Sequence, residues 1–362
     1  VKDIFNTEDM PTCHGSRLFK GYFPGNDARV VTSLKGHGAI MAGKTVTAEF
    51  AVHHPGETKN PHSLARTSGT SSSGSAAAVA SGMVPVALAS QTGGSTIRPS
   101  SYCGVFGFKP SYGALPRTAM LKTTDTLDSV GLMSRSVDDL QLAFDAMRVR
   151  GWNYPISDAA YNDPTRRMRG KDVWRVGALN GPKSTGESSA AKSGIKNLTT
   201  KLAHAGCEIS DCNLPQAFDN AHEVHETIYC RSLSYHFRME WEADDSAFSE
   251  TLASMILRGS EISTEDYMSA VSEQTHLASL FDCMMNDFDV IVCPSTVDEA
   301  PIADGGVEVD DHCLIFTLCH AAAVSLPLFS GTTGLPLGLQ VVSRRFNDYL
   351  LLDFARFLTS SY

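Results

Sequence analysis

Two short stretches rich in serine and glycine hold residue types that could do chemistry: Ser68 to Ser75 (SGTSSSGS) and Ser90 to Ser95 (SQTGGS). Serine supplies a hydroxyl nucleophile, and glycine lets backbone N–H groups approach a ligand closely. In Thr92-Gly93-Gly94-Ser95, consecutive amides lead directly into a hydroxyl, which is what an oxyanion hole beside a nucleophile requires. The blandest alternative is a flexible linker. It fits poorly, because residues 76–90 (AAAVASGMVPVALAS) read as a small-residue helix, a Gly-Met-Val-Pro break and a short buried strand, so dense apolar signals lie within a few residues on either side.

A serine nucleophile needs a base. No GxSxG elbow surrounds these serines and no histidine stands out as a partner, so a Ser-His-Asp triad has little local support. The remaining route is a lysine kept neutral by burial or hydrogen bonding, acting directly or through a second hydroxyl. Composition alone does not choose that lysine. His222 and His225 in HEVHE are three apart with Glu223 between them, which is not the HExxH metal motif, and they are expected on a solvated helix face. Cys103, beside the second segment, is expected to be a small core residue.

The elements that must position these groups alternate. VGLMS (130–134), WRVGAL (174–179), residues 207–213, FDVIVC (288–293) and LGLQVVS (337–343) read as strands. Helical patterns fall at 136–147, where Ser136 and Asp139 have the spacing of a helix cap, near 187–205, 216–240 and 264–286, and near 347–359. Strands and helices in this order predict an α/β fold, a sheet covered by helices on both faces. The polar stretch from Asn153 to Lys171 reads as a surface loop.

With these residues in place, the chain resembles the amidase signature family. The segment GTSSSGSAAAVASGMVPVALASQTGGSTIRPSSYCGVFGFKPSYG (69–113) is similar to the defining stretch of that family over its whole length. The likeness extends through VKDIFNTEDMPTCHGS (1–16), GAIMAGKTVTAEFA (38–51), LDSVGLMSRSVDD (127–139), DVIVCPSTVDEAP (289–301) and AAAVSLPLFSGTTGLPLGLQVVSRRFND (321–348). The resemblance implies the amidase signature fold, a central mixed β-sheet covered by helices on both faces, as a single domain over 1–362. It implies Ser95 as nucleophile, Ser71 as relay and Lys2, in the Lys-Asp dipeptide, as base, with the amides of Thr92, Gly93, Gly94 and Ser95 as oxyanion hole. Lys44 falls in a segment outside that triad and is expected to be structural. The resemblance implies no metal and no organic cofactor.

Three departures from the family pattern stand out. Thr70 replaces a glycine before the relay serine, where relatives bend the chain with a cis peptide; Gln91 replaces an aspartate; and Thr96 is followed by Arg98 one place later than usual. Ser72 and Ser73 read equally as supports of the relay and as helix caps. Arg98 is expected to hold the Ser95 loop rather than to touch substrate. Residues near Leu115, Met120, Leu121 and Tyr229, with Asp128, are the expected substrate contacts.

The bulk composition bounds the partners. The net charge of -10 comes without a run of like charges, which argues against nucleic acid and anionic membrane. Nine cysteines without a CxxC pair suit buried thiols in a reducing, cytoplasmic compartment. The expected function is hydrolysis of small hydrophobic amides or carbamates, as in aryl acylamidases and urethanases, by a protein for which a homodimer is one open assembly. Two alternatives remain: an amidotransferase-type subunit working in a complex, and an inactive truncated homologue. Relatives carry a further N-terminal region before the Lys-Asp dipeptide, so the sequence reads as a fragment of a longer enzyme, with Lys2 expected to be mobile and solvated.

Overall fold

The computed structural model describes residues 1–166, 173–179, 186–303 and 313–361. A small antiparallel pair, β1 (Lys59–Asn60) and β2 (Ser63–Thr67), precedes the main sheet. That sheet contains β3 (Val86–Gln91), β4 (Phe106–Lys109), β5 (Ser129–Ser134), β6 (Arg175–Leu179), β7 (Glu208–Cys212), β8 (Val290–Pro294), β9 (Ala322–Ser330) and β10 (Pro336–Ser343). The eight strands lie in the order β3-β5-β4-β9-β10-β8-β6-β7. Pairing is antiparallel from β3 through to β8 and parallel from β8 through β6 to β7, so the sheet is mixed.

Both faces of the central strands are buried, and the alternation along them shows how. Val290 and Val292 join Val324, Leu326, Leu339 and Val341 in one core layer, whereas Ile291 and Cys293 join Ala323 and Val342 in the layer on the opposite face. A strand apolar at every position is the sequence consequence of cover on both faces. Each such side chain taken fully out of water contributes roughly 2 kcal/mol, so the sheet concentrates the stability that the site draws on.

The helix Ile97–Cys103 packs against β9 and β10 and meets β4 at Gly107, while Thr96, just before it, meets β5 at Gly131. A methyl on Gly131 would overlap Thr96 Oγ1, and one on Gly107 would overlap Ser100 Oγ. Gly131→Ala therefore forces apart β5 and the segment that follows Ser95. We expect a loss of about 1–3 kcal/mol of stability, read as a lower urea midpoint with unchanged slope.

The stretch expected to be a loop from Asn153 to Lys171 is instead partly helical. Pro155–Asn162 forms a helix with proline in its first turn, and Tyr161 is buried with its hydroxyl donating to Asp348 at 2.7 Å. The spacing of Ser157, Ala160 and Tyr161 carried that signal within a polar sequence; residues 167–171 lie outside the described residues. The helices Arg29–Gly36 and Glu250–Glu261 and the strand β9 add to the elements that the sequence pattern predicts. Among the described residues no helix is long and apolar enough to cross a membrane.

Candidate active site

The last two residues of β3 project to opposite faces of the sheet, and each fixes one half of the site. Ser90 turns toward Lys2, while Gln91 turns toward Thr317 in the helix Cys313–Leu318.

On the first face, Lys2 Nζ lies 2.6 Å from Ser71 Oγ, 3.0 Å from Ser72 Oγ and 2.8 Å from Ser90 Oγ. Lys2 is 0% exposed, its backbone N–H donates to Leu88 O at 3.3 Å, and it bridges to Thr45. The expectation of a mobile, solvated lysine is therefore overturned: neighbouring Ile4 and Phe5 are buried in the core and anchor the segment. Ser72 does not cap the helix Ser73–Ala80. Its hydroxyl donates to Ser90 O at 3.2 Å, so its oxygen must receive from Lys2. Thr47 Oγ1 donates to Ser71 O at 2.9 Å and fixes the backbone of that serine. The Thr70–Ser71 peptide, whose isomer the sequence leaves open, is trans, like every peptide bond of the described residues. Trans is the ordinary state of a non-proline bond, the cis form costing about 3 kcal/mol.

On the second face, Gln91 explains its departure from aspartate. Its Oε1 accepts from Thr96 N at 2.9 Å and from Ile97 N at 3.0 Å, and its Nε2 donates to Thr317 Oγ1 at 2.9 Å. An aspartate could accept both amides but could not donate to the threonine. Three successive carbonyls of the intervening loop are then tied back. Thr92 O accepts from His225 Nε2 at 2.8 Å, Gly93 O from Thr317 Oγ1 at 2.7 Å, and Gly94 O from Arg98 N at 2.9 Å. In a trans peptide the following N–H points opposite the carbonyl, so the amides of Gly93, Gly94 and Ser95 face away from these anchors. None of the three donates to a partner among the described residues. Ser95 is half-buried at the end of this run, and its Oγ has no hydrogen bond to Ser71 in this structure.

Asp128, expected as a substrate contact, is instead committed within the protein. It is buried and accepts from Thr92 Oγ1 at 2.8 Å, from the Thr123 hydroxyl and amide at 2.6 and 2.8 Å, and from the Thr124 hydroxyl and amide, both at 3.0 Å. Leu115 is a core residue, Met120 and Leu121 pack on the core, and Tyr229 is buried edge-on to His225. Lys44 Nζ binds Phe5 O, Thr7 Oγ1, Pro11 O, Thr12 Oγ1 and Asp3, gathering the segment around Lys2. Cys103 is buried, and burial pushes its thiol up to about 12.

The expectation of a solvated HEVHE face fails at His225, which is only 5% exposed. The helix Ala221–His236 buries Val224, His225 and Ile228, and His225 meets the loop after β3 at Thr92 O. Burial lowers His225 and His14 to about 4 and His320 to about 3, so all three are neutral at pH 7. Their unfolded counterparts take up protons near pH 6.5, and below that pH the unfolded state gains protons that the folded state refuses. Stability is thus expected to fall as pH drops from about 6.5 toward 4. Denaturant midpoints across that range will check it, and His320→Asn should flatten the slope.

Among the described residues no group of three or more His, Cys, Asp or Glu side chains is placed to hold a metal ion. The family model described as Amidase matches residues 1–352. The chain is 31% identical to a Glutamyl-tRNA(Gln) amidotransferase subunit from Heliobacterium modesticaldum over 98% of its own length and 80% of that protein. A crystal structure of an amidase superposes with a TM-score of 0.86 at 25% identity, covering 99% of this chain and 83% of that one. The structure of 6-aminohexanoate cyclic dimer hydrolase complexed with substrate shares the fold with a TM-score of 0.86 at 22% identity, over the same shares of the two chains.

Proposed function

We propose, from the premise that this chain belongs to the amidase family, that it hydrolyses carbon–nitrogen bonds of small hydrophobic amides or carbamates through an acyl-enzyme on Ser95. The observation that carries this is the pairing of a buried lysine–serine contact, Lys2 Nζ to Ser71 Oγ at 2.6 Å, with a loop whose successive carbonyls are tied back from Ser95. In its neutral form, Lys2 has two N–H groups and one lone pair. Donation to Ser72 and Ser90 leaves the lone pair for the Ser71 proton, the shortest of the three contacts. Ser71 then takes the proton of Ser95 as Ser95 attacks the carbonyl carbon, and the same chain in reverse protonates the leaving nitrogen. The loop Thr92–Ser95 holds the oxyanion, chiefly through the amides of Gly93, Gly94 and Ser95, and water releases the acid.

The hydrophobic substrate class carries over from the resemblance to aryl acylamidases and urethanases. Turnover of an acyl p-nitroanilide and a p-nitrophenyl carbamate by the purified chain, against glutamine as a polar comparison, tests the assignment. Preference for glutamine would overturn the hydrophobic class.

A second function is favoured by the relatives named as amidotransferase subunits: release of ammonia from an amide for use by a partner protein. In that case hydrolysis by the chain alone would be slow and would rise when partner proteins are added.

A further inference from the structure

Glycine gives the loop after β3 freedom that the proposed chemistry does not tolerate. The Thr92–Gly93 peptide has a residue without a β-carbon on one side, so little steric penalty opposes rotating the peptide plane by half a turn. Such a rotation would exchange the Gly93 N–H for the Thr92 carbonyl and turn an acceptor toward a developing negative charge. An external donor on the carbonyl is needed to hold one orientation.

We propose that His225 is that positioning residue: its Nε2–H holds the Thr92–Gly93 peptide in the orientation that keeps the Gly93 amide available to the oxyanion. The inference rests on the function proposed above. Nε2 lies 2.8 Å from Thr92 O, and because a carbonyl only accepts, the proton is on Nε2. The ring is 5% exposed and lies 3.9 Å from where a Gly93 β-carbon would be, so it packs against the loop it binds. Tyr229, one turn further along the same helix, meets the ring at 65° and limits its rotation. Thr317 repeats the arrangement on the next carbonyl, and its own orientation is set by the amide of Gln91.

The test compares His225→Leu, which removes the donor, with His225→Gln, whose Nε2 can reach the same carbonyl, using steady-state turnover of a p-nitroanilide. Loss of one oxyanion donor costs on the order of 10²-fold in kcat, so His225→Leu is expected to lose about that much. KM should stay within about threefold, because the interaction matters in the transition state, and His225→Gln should recover most of kcat. A wild-type kcat in His225→Leu, or equal losses in both variants, overturns the inference. If His225→Leu does not fold, His225→Asn replaces it: its amide is one carbon too short, and kcat equal to that of His225→Gln overturns the inference. Ser95→Ala in the same assay separates the two levels. An active Ser95→Ala enzyme removes the site itself, whereas an inactive one with unaffected His225 variants removes only the role of His225.

Discussion

Ser95→Ala is expected to abolish turnover of amide and carbamate substrates, with a loss on the order of 10⁶ in kcat, the scale seen when the nucleophile of a serine hydrolase is removed. The substitution removes one half-buried hydroxyl that makes no hydrogen bond among the described residues. The folded state should therefore be indifferent to it, with a denaturant midpoint matching that of the wild type. Intact-mass analysis after treatment with a fluorophosphonate should show a single adduct on the wild-type chain and none on Ser95→Ala. A retained adduct would move the nucleophile elsewhere, and Ser71 would be the first residue to examine, since it is the hydroxyl closest to Lys2.

The site was unevenly legible in the sequence. The proposed oxyanion loop, Thr92–Ser95, stands out locally because oxyanion holes are made of backbone, and backbone that must approach a ligand is written as glycine. Lys2 and Ser71 could not be read that way. They are 69 positions apart, and only the likeness to the family pattern paired them. The isolated bridge from Lys2 to Thr45 and the turn into the helix Ser73–Ala80 bring them together, and no spacing rule encodes such a meeting.

His225 shows a different limit. A histidine between glutamates at helical spacing resembles a solvated face, yet a neutral imidazole can be buried if one nitrogen finds an acceptor. Here the acceptor is the carbonyl of Thr92, 133 residues earlier, and a carbonyl leaves no trace in residue type. The internal commitment of Asp128 is hidden for a related reason. Its five donors come from Thr92, Thr123 and Thr124, a set that only the folded loop assembles around one carboxylate. The sheet was clearer, since fully apolar strands such as Val290–Pro294 announce cover on both faces. β9 is harder to read, because a proline interrupts AAVSLPLFS, although its inner end is buried as a strand.

Lys2→Met should lower kcat/KM by on the order of 10³, the contribution of a positioned general base. Methionine has a similar length, suits a fully buried site and cannot take a proton. The three hydroxyls around Nζ lose a partner, but Ser72 keeps its bond to Ser90 O, so the cost in stability should be a few kcal/mol at most. Fluorophosphonate should still label Ser95, only more slowly, because the nucleophile remains while its activation is gone. Lys44→Met provides the contrast. Lys44 binds Asp3 and the oxygens of residues 5 to 12 but none of the site serines. Its loss should lower the unfolding midpoint and leave the labelling rate of the remaining folded protein close to wild type. Equal labelling rates in Lys2→Met and the wild type would remove Lys2 as the base, whatever the change in stability.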